Sequence, residues 1–194
     1  VAEVLYEIFQ KTGGRAFVPF AISMDDLEQY TAWMNDLSTT VQLGNASTHV
    51  SLASEKEYLE KLIREGHNYA IILKSSEMLI GNCSLFNINP VHRTAEVGIF
   101  IGDEKHRGQG YGAEALELLL AYGFKILNLN NIMLKVLSFN QRAIRSYEKV
   151  GFRIFGRRSQ AFYLNGKYYD HIMMEALAQD FKSPLLDDVL PQEL

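Results

Sequence analysis

Apolar positions change their spacing twice along the chain. From Asp25 to Leu37, the residues Leu27, Tyr30, Trp33, Met34 and Leu37 recur at steps of three and four, the period of a helix with one buried face. Asp25, Asp26 and Glu28 suit its first turn, where negative charge meets the positive end of the helix dipole. Before it, Arg15 to Phe20 reads as a short strand, with Pro19 marking an edge or an end. Ser38 to Leu52 is polar and irregular and reads as a loop. Ser54 and Glu57 have capping-box spacing before a second helix that stops near Gly66.

The period then shortens. Tyr69 to Leu73, Leu79 to Phe86 and Ala95 to Ile101 read as three strands, the first two joined as a hairpin across Lys74 to Met78. A glycine-rich turn leads into a long apolar helix from about Gly110 to Leu127. Asn131 to Leu137 reads as a buried strand, and Asn140 to Val150 as a helix closed at Gly151. Two last strands, about Phe152 to Leu164 and Tyr168 to Ala176, meet at Asn165-Gly166, a strong hairpin turn. This order predicts a mixed α/β sheet flanked by helices. One domain is expected over residues 1–177, with 178–194 a peripheral tail. The first ten residues fit either an added strand or a contact in a homodimer.

Composition narrows the setting. The 194 residues carry a net charge of -4, which argues against broad binding to nucleic acid or anionic membrane. The single cysteine, Cys83, rules out a disulfide scaffold within the chain and reads as a small core residue. The five histidines lack metal-ligand spacing, so no metal is expected. Glu3 and Glu7 break the order of a secretory signal, and no apolar run reaches the ~18 residues of a membrane helix. The expectation is a cytoplasmic protein.

The chemistry concentrates in Arg107-Gly108-Gln109-Gly110-Tyr111-Gly112. Glycines permit positive φ and close approach, and the next helix presents free N–H groups, so the turn suits a phosphate or pyrophosphate. Arg107 adds charge, and His106 reads as an exposed loop residue. Tight helix–strand packing explains the glycines equally well. No lysine completes a Walker loop, and the third glycine of a dinucleotide fingerprint is out of place.

The turn resembles the acetyl-CoA pyrophosphate loop of the GNAT superfamily. Ala95-Glu96-Val97-Gly98-Ile99-Phe100-Ile101 resembles that family's central strand, and Asn140 to Phe152 its second cofactor segment. The closing Phe162 to Asp170 hairpin resembles the ribosomal-protein alanine and spermidine acetyltransferase group. The resemblance implies a largely antiparallel twisted sheet of about seven strands with about four helices. It implies acetyl transfer from acetyl-CoA to a primary amine, by direct attack in a ternary complex. The acceptor is either a protein N-terminal amine or a polyamine-like molecule. A non-catalytic acetyl-CoA sensor is the alternative.

By that resemblance, backbone N–H groups of Ile99, Phe100 and Ile101 hold the thioester, as preorganised donors do for an oxyanion. Arg107, Gly108, Gln109, Gly110, Tyr111, Gly112 and Ala113 hold the diphosphate. Asn140, Ala143 and Tyr147 complete the cofactor site, with Asn140 also a fit N-cap. Tyr147 is the matching general acid. A lysine-like amine of pKa ~10.4 costs roughly 4–5 kcal/mol to present neutral near pH 7, so a base is required. Glu96, an acid inside an apolar strand, is the candidate.

Overall fold

The computed structural model describes residues 16–187. The expectations placed on the first ten residues, on Arg15 and on the end of the tail lie outside them. Among the described residues, seven strands form one sheet: β1 (Ala16–Ala21), β2 (Asn68–Leu73), β3 (Leu79–Asn89), β4 (Thr94–Ile101), β5 (Asn131–Leu137), β6 (Arg153–Leu164) and β7 (Lys167–Leu177). Their order is β1-β2-β3-β4-β5-β7-β6. Every neighbouring pair is antiparallel except β4 and β5. The largely antiparallel mixed sheet expected from the sequence is therefore present.

Five α-helices among the described residues accompany it: α1 (Leu27–Asn35), α2 (Leu37–Leu43), α3 (Leu52–Glu65), α4 (Tyr111–Lys125) and α5 (Gln141–Lys149). The main core lies between the sheet and α4 with α5. Leu116, Leu120, Ile71, Leu85, Ile132 and Met174 are fully buried there. Burial of such side chains gives about 1.5–3 kcal/mol each. A second cluster on the opposite face joins Ile22, Tyr30, Trp33 and Leu59 to Phe100. Cys83 is buried, as expected, and burial pushes its thiol pKa up.

Three local readings need correction. The polar stretch taken as a loop contains α2. Asp36 caps it, accepting from the Thr39 N–H at 3.1 Å and the Thr39 hydroxyl at 2.8 Å. Gly44, at φ 80, ends it. The helix has few apolar residues to betray it, because caps and tertiary contacts hold it. The box before α3 is Ser51 with Ser54, three residues earlier than the Ser54–Glu57 reading. Each serine hydroxyl accepts the other's N–H, at 3.1 and 3.0 Å. The tail, read as peripheral, folds back on α4 as far as residue 187. Leu186 is buried beside Ala121, and Lys125 Nζ donates to the Ser183 and Leu185 carbonyls at 2.7 and 2.8 Å.

Candidate active site

β4 and β5 share a ladder only from Thr94–Asn131 to Glu96–Met133. Beyond it they part, although β4 stays paired with β3 to Ile101. From Val97 onward the β5-facing edge of β4 therefore carries backbone groups with no ladder partner. The gap opens into a groove of about 690 Å³. Its walls are Val97–Ile101, Leu134–Leu137, the start of α4, and α5; Gln42, Leu43 and Gly44 of α2 close one side.

The glycine turn meets this groove as its chemistry requires. Gly108 and Gly110 have φ 75 and 93, a region that L side chains rarely adopt. Gly110 is the N-cap of α4, and no side chain caps that end. Gly108, Gly110, Gly112 and Ala113 line the groove, whereas Gln109 and Tyr111 do not. A Cβ on Gly112 would meet Ile101 and Ile99 at 3.8 and 3.9 Å, ordinary contact. Crowding against the strand thus does not explain that glycine. His106 is not an exposed residue of the loop: its side chain is 17% exposed, Nδ1 lies 3.3 Å from Asp103, and it lines the groove.

Arg107 behaves differently from the reading that gave it to phosphate. Its side chain is 8% exposed, and its guanidinium is committed to protein partners. Nε donates to the Ile101 carbonyl at 3.0 Å, and Nη2 to the Gly102 carbonyl at 2.7 Å. The same fork reaches the Ser38 carbonyl at 3.2 Å, the Ser38 hydroxyl at 3.1 Å and the Thr39 hydroxyl at 2.6 Å. It ties the start of α2 to the end of β4.

Positive charge in the groove comes mainly from elsewhere. Arg142, Arg145 and Lys149 of α5 line it, with Lys135 of β5. No aspartate or glutamate is among the described lining residues. Arg142, Arg145 and Lys149 form a basic stripe at steps of three and four on a short helix, a sequence signal that lies outside the expected site residues. Asn140 caps α5 by accepting from the Ala143 N–H at 3.2 Å. Asn140, Ala143 and Tyr147 all line the groove. Burial pushes the Tyr147 phenol up to about 12, so it remains a donor at neutral pH.

Glu96 stands apart. It is not among the lining residues. Its Oε1 accepts from Asn87 Nδ2 at 2.9 Å, and its Oε2 lies 4.0 Å from Lys135 Nζ. The structure therefore brings together eleven of the predicted residues: Ile99, Phe100, Ile101, Arg107, Gly108, Gly110, Gly112, Ala113, Asn140, Ala143 and Tyr147. It leaves Glu96, Gln109 and Tyr111 outside. It adds Phe162 and His171, for which the sequence had no local signal beyond polar–apolar alternation in the last strand.

Comparison with known proteins agrees with this geometry. Residues 17–153 match the Acetyltransferase (GNAT) domain, and the chain belongs to the GNAT acetyltransferase family. It is 35% identical over 116 residues to the spermidine N(1)-acetyltransferase of Vibrio cholerae, covering 59% of this chain and 66% of that relative. It is 35% identical over 115 residues to the enzyme of the same name from Escherichia coli K12, covering 59% and 61%. The chain thus spans under two thirds of either relative. A solved structure of spermidine N-acetyltransferase from Vibrio cholerae, in complex with CoA and spermine, superposes with a TM-score of 0.76 at 28% identity. That superposition covers 86% of this chain and 97% of the other.

Proposed function

We propose that the protein transfers the acetyl group of acetyl-CoA to a primary amine by direct attack in a ternary complex. The groove at the parting of β4 and β5 carries this reading, because it joins an unpaired strand edge to an uncapped helix start. The diphosphate rests on the turn from Gly108 to Ala113, where N–H groups and the helix dipole favour an anion. Arg142, Arg145 and Lys149 supply charge-assisted bonds to the phosphates. The thioester carbonyl lies against the free edge of β4 around Ile99 to Ile101, whose N–H groups take up the developing negative charge.

Tyr147 is the general acid. A thiolate leaving the acetyl carbon needs a proton, and the Tyr147 phenol in the groove wall holds one at working pH. Glu96 offsets the charge of Lys135; set back from the groove, it reaches an amine only through water. The acceptor class that the relatives favour is a polyamine, with a protein N-terminal amine second.

The test is CoA release with polyamines, amino-acid amides and peptides bearing free N-termini. Turnover on one class, lowered about 100-fold in Tyr147→Phe with acetyl-CoA affinity kept, is the expected result. Tight acetyl-CoA binding without turnover on any amine makes the chain a sensor. Absence of acetyl-CoA binding overturns both.

A further inference from the structure

Given acetyl transfer to an amine, as proposed above, the incoming ammonium must lose its proton inside a groove whose described lining residues include no carboxylate. Glu96 is tied to Asn87 and faces Lys135. Two imidazoles line the groove; His106 stands beside Asp103 at the glycine turn, which leaves the His171 imidazole to accept the acceptor's proton at neutral pH.

The sheet places that imidazole where an acceptor would arrive. Along β5, Leu134 and Val136 enter the main core, and along β7, Ile172 and Met174 do so. Lys135 and His171 alternate with them and so occupy the opposite face. Tyr147 packs against the main core, on the face of α4 and α5. The groove passes between the parted strands and so reaches the phenol from one face and the imidazole from the other. His171 pairs with Leu137 of β5 and Arg158 of β6. Next to it, Asp170 pins the irregular stretch of β6, accepting from the Gln160 N–H at 2.7 Å and from the Arg157 guanidinium. The rim at His171 is therefore held from two strands.

The groups around His171 favour its neutral form. Burial lowers its pKa first, and the cations Lys135 of β5 and Arg158 of β6 lower it further. Asp170, its neighbour on β7, is bound to Arg157. Gln42, Leu43 and Gly44 of α2 and Phe162 of β6 bring no charge to this end. Lys135 also disfavours the ammonium form of an acceptor beside it.

We propose that His171 is the general base of the reaction. The imidazole takes one proton from the acceptor ammonium, and the freed lone pair attacks the thioester carbonyl carbon. The C–N bond forms and the C–S bond breaks. The thiolate takes a proton from Tyr147, the surplus proton on nitrogen restores the phenol, and the imidazolium releases its proton to water.

The experiment measures single-turnover acetyl transfer against pH for the wild type, His171→Gln and Glu96→Gln, with acetyl-CoA affinity determined for each. His171→Ala is assayed with and without added imidazole. In the wild type the rate should fall on the acid side, with a midpoint below the usual histidine value of 6.5. His171→Gln should be about 100-fold slower, lack that limb and bind acetyl-CoA normally. Imidazole should restore His171→Ala, and Glu96→Gln should keep the limb. A His171→Gln rate within about threefold of wild type overturns the assignment while leaving acetyl transfer intact. So does loss of the limb in Glu96→Gln alone. A wild type that binds acetyl-CoA and acetylates no amine overturns the acetyl-transfer reading and this base with it.

Discussion

A phenol held as phenol by burial suits the protonation of a thiolate, and that is the condition of Tyr147. The same desolvation that raises its pKa keeps it from ionising near neutral pH, so it imposes no limb of its own there. Backbone conformation matters as much as side-chain chemistry in this site. Gly110 stands at φ 93 directly before the first turn of α4. An alanine there must either bear about 1–2 kcal/mol of strain or swing the first N–H groups of α4 away from the diphosphate. Gly110→Ala should therefore weaken acetyl-CoA binding by about tenfold in calorimetry. Unchanged affinity would show that the phosphates do not rest on this turn.

At the scale of elements, the short helix α2 is the least self-sufficient part of the site. Two β-branched threonines and few apolar residues give it little intrinsic propensity, so Asp36, Gly44 and Arg107 hold it. Arg107→Gln removes a donor from several part-buried acceptors, at up to about 1–3 kcal/mol for each group left unsatisfied. The expected outcome is a lower Tm and a raised KM for the amine, since Gln42 to Gly44 close the groove, with a smaller change in acetyl-CoA affinity. Arg107→Lys should not rescue it, because a point charge cannot reproduce the fork. Collapse of acetyl-CoA binding at an unchanged Tm would return Arg107 to the phosphates.

The whole molecule closes on its C-terminal segment. Leu186 is 3% exposed against α4, Ser183 Oγ donates to Glu117 Oε1 at 2.7 Å, and Lys125 holds two backbone carbonyls of the segment. Removing residues from 182 onward exposes Ala121 and loses the Leu186 burial, so stability should drop by about 2–3 kcal/mol in denaturant unfolding. Acetyl transfer below the unfolding range should persist, because none of the described residues of the segment, 182–187, lines the groove. A truncated chain as stable as the full one would show that the contact contributes nothing.

Local chemistry in the sequence determined much of this protein. Period-two and period-three-to-four patterns placed the strands and most helices, because burial on one face imposes those spacings wherever they fall. Gly108, Gly110, Asn140 and Tyr147 were readable because positive φ, capping and motif spacing are properties of short segments. The tertiary structure alone decided the rest. Whether Arg107 meets a phosphate or the backbone depends on α2, almost 70 residues earlier in the chain. Whether Glu96 or His171 faces the amine depends on where β4 and β5 part and on which face of β7 turns inward. No local pattern encodes such contacts, because they arise only when segments distant in sequence come together around one core.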